Sequence, residues 1–211
     1  MNTFWKKVLT RLGVLGITGG VLVGAGALGI HWVKKQNPQT AVSASGTKMK
    51  VITEPMGFYN GNEKIDGTVY RPQESGKNLP CIIYCQNTVH GDRWCRDLAA
   101  RGFLTYSFDL GDGEKQRVAA VKTAVKALRE HRFTDKSKVF LLGEGNGCPT
   151  ACTATFDQPD KTAGLILVSP GFNPLEISAK AKRYRKQILV VDSALGTSAN
   201  IDEIVAYVVS R

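Results

Sequence analysis

Five short apolar runs constrain this chain more than any other feature of it. They are "CIIYC", "FLTYSFDL", "KVFLL", "AGLILVS" and "QILVVD", and they recur between residues 81 and 192 with a helix-like stretch between most neighbours. A run of this length with no polar alternation suits a strand covered on both faces, as in a parallel sheet. The intervening stretches "DRWCRDLAARG", "EKQRVAAVKTAVKALREHR", "CPTACTATF" and "LEISAKAKRYRK" read as helices, and "IDEIVAYVVSR" as a last one. Val118, Val121, Val125 and Leu128 recur at helical spacing and mark the inner face of the second helix, whose other face is basic. Strand and helix in alternation predict an α/β domain with a mostly parallel sheet and helices on both faces. Ahead of it "KVITEPMGFYN" and "GTVYRP" read as an antiparallel hairpin, turning at "NGNEKIDG" where Asn60-Gly61 is a hairpin signal.

The domain spans residues 48–211. Residues 34–47, "KKQNPQTAVSASGT", are polar and without apolar periodicity, which makes them a linker. Before them, residues 12–33 hold no charge, and the 22 residues between Arg11 and Lys34 are long enough at ~1.5 Å each to cross a ~30 Å hydrocarbon layer. Residues 1–11 form a basic flank with Lys6, Lys7 and Arg11, and Trp5 and Trp32 sit at interfacial positions, so 12–33 is expected to be a single-pass transmembrane anchor. A cleaved signal peptide ending near "AVSASG" is the alternative, but its apolar core would be unusually long. Gly16, Gly20 and Gly24 recur every four residues and leave one helix face bare, a surface for helix–helix self-association, although glycine is frequent in membrane helices in any case.

Charge and cysteines bound the remaining possibilities. The net charge of +10 includes five bases and no acid in residues 1–44, leaving 23 bases against 18 acids beyond them. The bases around the anchor lean slightly towards an extracytoplasmic domain. Cys81, Cys85, Cys95, Cys148 and Cys152 pull the other way: their number is odd, none forms C-x-x-C, and they read as small buried hydrophobes, with no metal site and no cofactor expected. Five bases crowd "KAKRYRK": Lys180, Lys182, Arg183, Arg185 and Lys186. Such a run is usually a solvated face; contact with anionic lipid is the functional reading for a tethered chain, and no nucleic acid is expected.

In parallel sheets ligands bind beyond the carboxyl ends of the strands, which directs attention to "QNTVHGD", "DLGDG", "GEGNG", "SPGFN" and "DSALGTS". In "DKSKVFLLGEGNG" a strand runs into Gly143-Glu144-Gly145-Asn146-Gly147 and then a helix. Together with "LPCIIYCQNT…DRWCRDLAARGFLTYSFDLGDG" and "AGLILVSPGFNP", this order resembles the α/β-hydrolase family over residues 49–211. The resemblance implies that the pentapeptide stands where the family has its nucleophile elbow, G-x-S-x-G. Gly143 and Gly147 keep the outer glycines, while Gly145 occupies the place of the nucleophile and has no atom that can attack a carbonyl.

Other family features are changed as well. Gln86-Asn87 replaces the His-Gly of the oxyanion loop, and His90-Gly91 follows four residues later. Asp109-Leu110-Gly111-Asp112-Gly113 lacks the arginine of the family's D-x-R-G-x-G. None of the three histidines, His31, His90 and His131, follows the elbow, and the sequence is expected to stop one strand short; Asp192 or Asp202 falls in the region of the acid. Ser169 reads as a strand-end residue. The resemblance therefore implies a degenerate, membrane-anchored pseudo-hydrolase whose pocket takes an apolar or acyl-like ligand or whose surface docks a partner. The alternative is an unorthodox hydrolase of small esters or thioesters in which Cys148, at a helix start that would lower its pKa, is paired with His90.

Overall fold

A computed structural model describes residues 30–31, 48–86, 91–192 and 197–211. In chain order the strands are β1 (Ile30–His31), β2 (Val51–Asn60), β3 (Glu63–Pro72), β4 (Leu79–Cys85), β5 (Leu104–Phe108), β6 (Thr134–Glu144), β7 (Gly164–Val168) and β8 (Ile188–Val191). The described helices are α1 (Gly91–Ala99), α2 (Glu114–Arg129), α3 (Cys148–Asp157) and α4 (Thr197–Val209). The strands form one sheet in the order β1-β8-β7-β6-β4-β5-β3-β2. From β1 to β5 along that order every pairing is parallel; β3 pairs antiparallel with both β5 and β2 and is the one reversed strand among those described.

The apolar runs form the centre because they are covered twice. Along β4, Cys81, Ile83 and Cys85 face the side packed by α2 and α3, while Ile82 and Tyr84 face α1 and α4. Phe140 and Leu142 alternate with Val139 and Leu141 in the same way on β6, and all four are fully buried. The four apolar positions expected to line α2 are buried, Val121 and Leu128 completely. Two separate cores, one on each face, hold the sheet rigid, so the loops at its carboxyl edge start from fixed points.

Three expectations change. The hairpin loop is two residues, Gly61-Asn62, because Glu63–Asp66 continue the alternation and Ile65 pairs with Phe58; Gly61 takes φ 65°, the glycine-first pattern of a II′ turn. The stretch 175–186 is not an α-helix but two 3-10 turns, Pro174–Glu176 and Ala179–Arg183. Asn173 and Ser178 each cap one of them by accepting a backbone N–H two residues on, and only Ala181 and Tyr184 of the second segment reach the core. The anchor assigned to 12–33 lies outside the described residues except for Ile30 and His31, which pair as a strand with Ile188 and Leu189 on the β8 edge. Among the described residues no helix is long and apolar enough to cross a membrane.

Candidate functional site

The turn after β6 is built as a nucleophile elbow is built. The strand ends at Glu144, one 3-10 turn covers Gly145–Gly147, and α3 starts at Cys148. Each glycine has its own physical cause. A Cβ on Gly147 would lie 1.6 Å from the Cys85 carbonyl oxygen, so the turn passes directly over the end of β4. A Cβ on Gly143 would lie 2.7 Å from the Cys148 Cα, because the helix returns across its own strand. Gly145 is different: its φ is 48°, and among the described residues no heavy atom lies within 4 Å of where its Cβ would be. The position is open, and its backbone is in the left-handed region that favours glycine.

Around it the side chains are polar. Glu144 is half-buried, and the Tyr84 hydroxyl donates to its carboxylate at 2.5 Å. The Gln86 side chain meets the same hydroxyl. A hydroxyl has one proton, so with that proton on Glu144 the Gln86 amide presents its NH₂ to Tyr84. Burial, and then the bond to Glu144, raise the Tyr84 pKa. Of the residues assigned to the oxyanion loop, Gln86 is therefore a structural partner of β4 and β6, while Asn87 lies outside the described residues. Asn146 is exposed at the tip of the turn.

Of the Cys148/His90 dyad, the described residues include Cys148 alone. Cys148 is fully buried, and its thiol donates to the Val168 carbonyl at 3.6 Å. Burial pushes its pKa up to about 12, which reverses the lowering expected from the helix start: desolvation outweighs the partial charge of the helix terminus. His90 lies outside the described residues. His131 sits at the opposite end of β6, its ring tilted against Phe133 at 5.8 Å, with eleven strand residues between it and the elbow. Asp202 is ion-paired to Arg101 at 2.7 Å, on the α1–α4 side.

The rim also carries a feature that the sequence conceals. Val168 pairs with both Glu144 and Val191, so the next residues, Gly145, Ser169 and Asp192, follow side by side across three strand ends. Ser169 has φ 48°, and its N–H donates to Val191. A residue before proline normally stays extended, so "SP" gave no signal for this conformation.

A cavity of about 400 Å³ opens over the ends of β4 and β5. Tyr70, Tyr84, Gln86, Asp92, Ser107 and Asp109 line it. The Tyr70 hydroxyl donates to Asp92 at 2.6 Å, and the Arg96 bond, then the Tyr70 bond, hold the Asp92 carboxyl below its ordinary pKa. Hydroxyls and carboxylates thus surround the space. Among the described residues no cluster of His, Cys, Asp and Glu could hold a metal ion.

No protein-family model and no curated protein matches this sequence. Solved structures do match. An esterase from Rhizomucor miehei superposes with a TM-score of 0.63 at 11% identity, over 77% of this chain and 84% of that one. A putative dienelactone hydrolase from Klebsiella pneumoniae gives 0.53 at 15%, over 73% and 90%. A brefeldin A esterase, a bacterial homologue of human hormone-sensitive lipase, gives 0.50 at 25%, over 58% and 40%. This chain thus spans less than half the length of the brefeldin A esterase. The architecture is α/β-hydrolase-like, a mostly parallel mixed sheet with helices on both faces.

Proposed function

We propose that this chain is a membrane-tethered binding protein built on an α/β-hydrolase-like domain whose elbow no longer performs nucleophilic attack. The observation that carries the reading is Gly145: the turn keeps the geometry that exposes a nucleophile, and the residue exposed has no side chain. Without a nucleophile, a site of this kind retains only binding and whatever its hydrogen-bond donors contribute. The cavity beside the turn supports binding of a small molecule that combines an apolar part with hydroxyls or amines, since the rings of Tyr70, Tyr84 and Phe108 share its lining with Asp92 and Asp109. The part of 12–33 that lies ahead of β1, residues 12–29, supplies the tether, and Gly16, Gly20 and Gly24 a face for self-association; Gly20→Ile should abolish association of the segment in a membrane two-hybrid assay, and unchanged association would count against that face.

The second reading is ester hydrolysis, favoured by the esterases among the structural neighbours. Turnover of short-chain p-nitrophenyl esters and thioesters by the purified full chain separates the two. Binding alone predicts rates equal to those of buffer and no labelling by fluorophosphonate or iodoacetamide probes in the folded protein. Turnover that disappears in Cys148→Ser or in His90→Ala would establish the hydrolase instead.

A further inference from the structure

The fold gathers basic groups that are far apart in the sequence onto one face. Asp157, at the end of α3, accepts from Lys180 at 2.5 Å and pairs with Lys122 of α2 at 3.3 Å, so the run 180–186, which packs on α3, begins beside the basic side of α2. Lys126 and Arg129 follow Lys122 at helical spacing, and Arg129 donates to the carbonyl of Lys161. Lys186 donates to the carbonyls of Pro159 and Thr162, which closes the ring of contacts around the α3–β7 loop.

Nine basic side chains thereby share the face with Asp157, Asp160 and, at its edges, Glu130 and Glu176. The surplus of five equals the surplus of the whole 45–211 region, 23 bases against 18 acids, so the remainder of the domain is balanced. Lys126, Lys161, Lys182, Arg183 and Arg185 are exposed. Tyr184, the aromatic within the basic run, is only 4% exposed against Phe156, which leaves no ring on this face for a nucleic-acid base to stack on. The large exposed hydrophobics, Met49, Tyr59 and Val209, are not part of it either.

We infer that this face docks the domain on an anionic phospholipid surface by charge alone, without insertion. The chemistry is that of a polybasic patch on the headgroups, each basic side chain adding about fivefold to partition. The inference goes beyond the silent elbow and does not depend on it. A tether at 12–33 would raise the local lipid concentration but would not by itself turn this face towards the bilayer.

The test uses the full chain with Ala179→Cys, an exposed position beside the patch; all five native cysteines are buried, so a thiol-reactive fluorophore reports from residue 179. The labelled protein is mixed or reconstituted with vesicles of phosphatidylcholine alone, or with phosphatidylserine added, each carrying a headgroup-level quencher lipid. Quenching is expected with phosphatidylserine only and should fall as salt is raised. Replacing Lys182, Arg183 and Arg185 with Glu together should weaken it about a hundredfold. Lys126→Glu with Lys161→Glu, on the other side of Asp157, should weaken it independently, which guards against a local folding defect in the first variant. Equal quenching on phosphatidylcholine, or undiminished quenching in both variants, would overturn the inference. Binding of a single-stranded oligonucleotide by the same residues in the absence of vesicle docking would overturn it in favour of nucleic acid.

Discussion

At the scale of single residues, the three glycines of the elbow make separable predictions. Gly147→Ala forces a methyl group into the Cys85 carbonyl, a backbone atom that cannot move aside, and should cost ~3 kcal/mol or more or prevent folding. Gly145→Ala meets nothing among the described residues and bears only the left-handed backbone penalty, ~1–2 kcal/mol. Urea unfolding of the two variants against the parent chain checks the order. Gly145→Ser should carry the same penalty and produce no ester turnover, since no histidine side chain among the described residues stands at this rim; measurable hydrolysis by that variant would show that only the nucleophile had been lost. His131 gives a pH prediction. Burial lowers its pKa, and its Nδ1 has no partner, while Glu54, Arg71 and Arg132 act on it electrostatically. The unfolded chain therefore binds the extra proton first, and stability is lost as pH falls below the ordinary histidine value of ~6.5, levelling off below the depressed folded value. His131→Phe should flatten that part of a stability–pH curve, and an unchanged slope would refute the assignment.

Between residues and the whole lie the elements, and here Tyr84 ties the ends of β4 and β6 together through Glu144. Tyr84→Phe removes a hydrogen bond to a half-buried carboxylate and should cost ~1–3 kcal/mol in urea unfolding; Glu144→Gln, which keeps an acceptor, should cost less. Elements of this kind were legible in the sequence where both faces are buried: β4, β6, β7 and β8 read directly from their continuous apolar runs, and α2 from its four inner positions. The elbow was legible through the resemblance of its surroundings: Gly143 and Gly147 stand where crowding excludes a side chain, and Gly145 where the backbone is left-handed. The stretch 175–186 misled because Ile177, Ala181 and Tyr184 stand at i, i+4 and i+7, as one face of a helix would place them, whereas Ser178 caps a new turn midway. The cavity could not be read at all, since Tyr70, Gln86, Asp92 and Ser107 come from four segments that only the crossovers of the sheet bring together.

For the molecule as a whole, the question is how the apolar amino-terminal segment and the sheet share residues. Ile30 and His31 pair with β8, whose outer backbone groups would otherwise lie at an open sheet edge. With those two residues held by the sheet, residues 12–29 remain for the bilayer, and ~27 Å of helix from 18 residues is still within the range that crosses. The proposed tether and the edge strand are therefore compatible, and such a tether would bring the β8 side of the domain close to the membrane. The full chain should accordingly stay with the membrane pellet through alkaline carbonate extraction. Ile17→Arg with Leu22→Arg should release it, because each arginine near the bilayer centre opposes insertion by ~2.5–3.5 kcal/mol, comparable to what several leucines and valines contribute. Release of the unaltered chain by carbonate would reject the tether while leaving the charge-driven docking of the basic face intact, since that contact requires only the folded domain and an anionic surface.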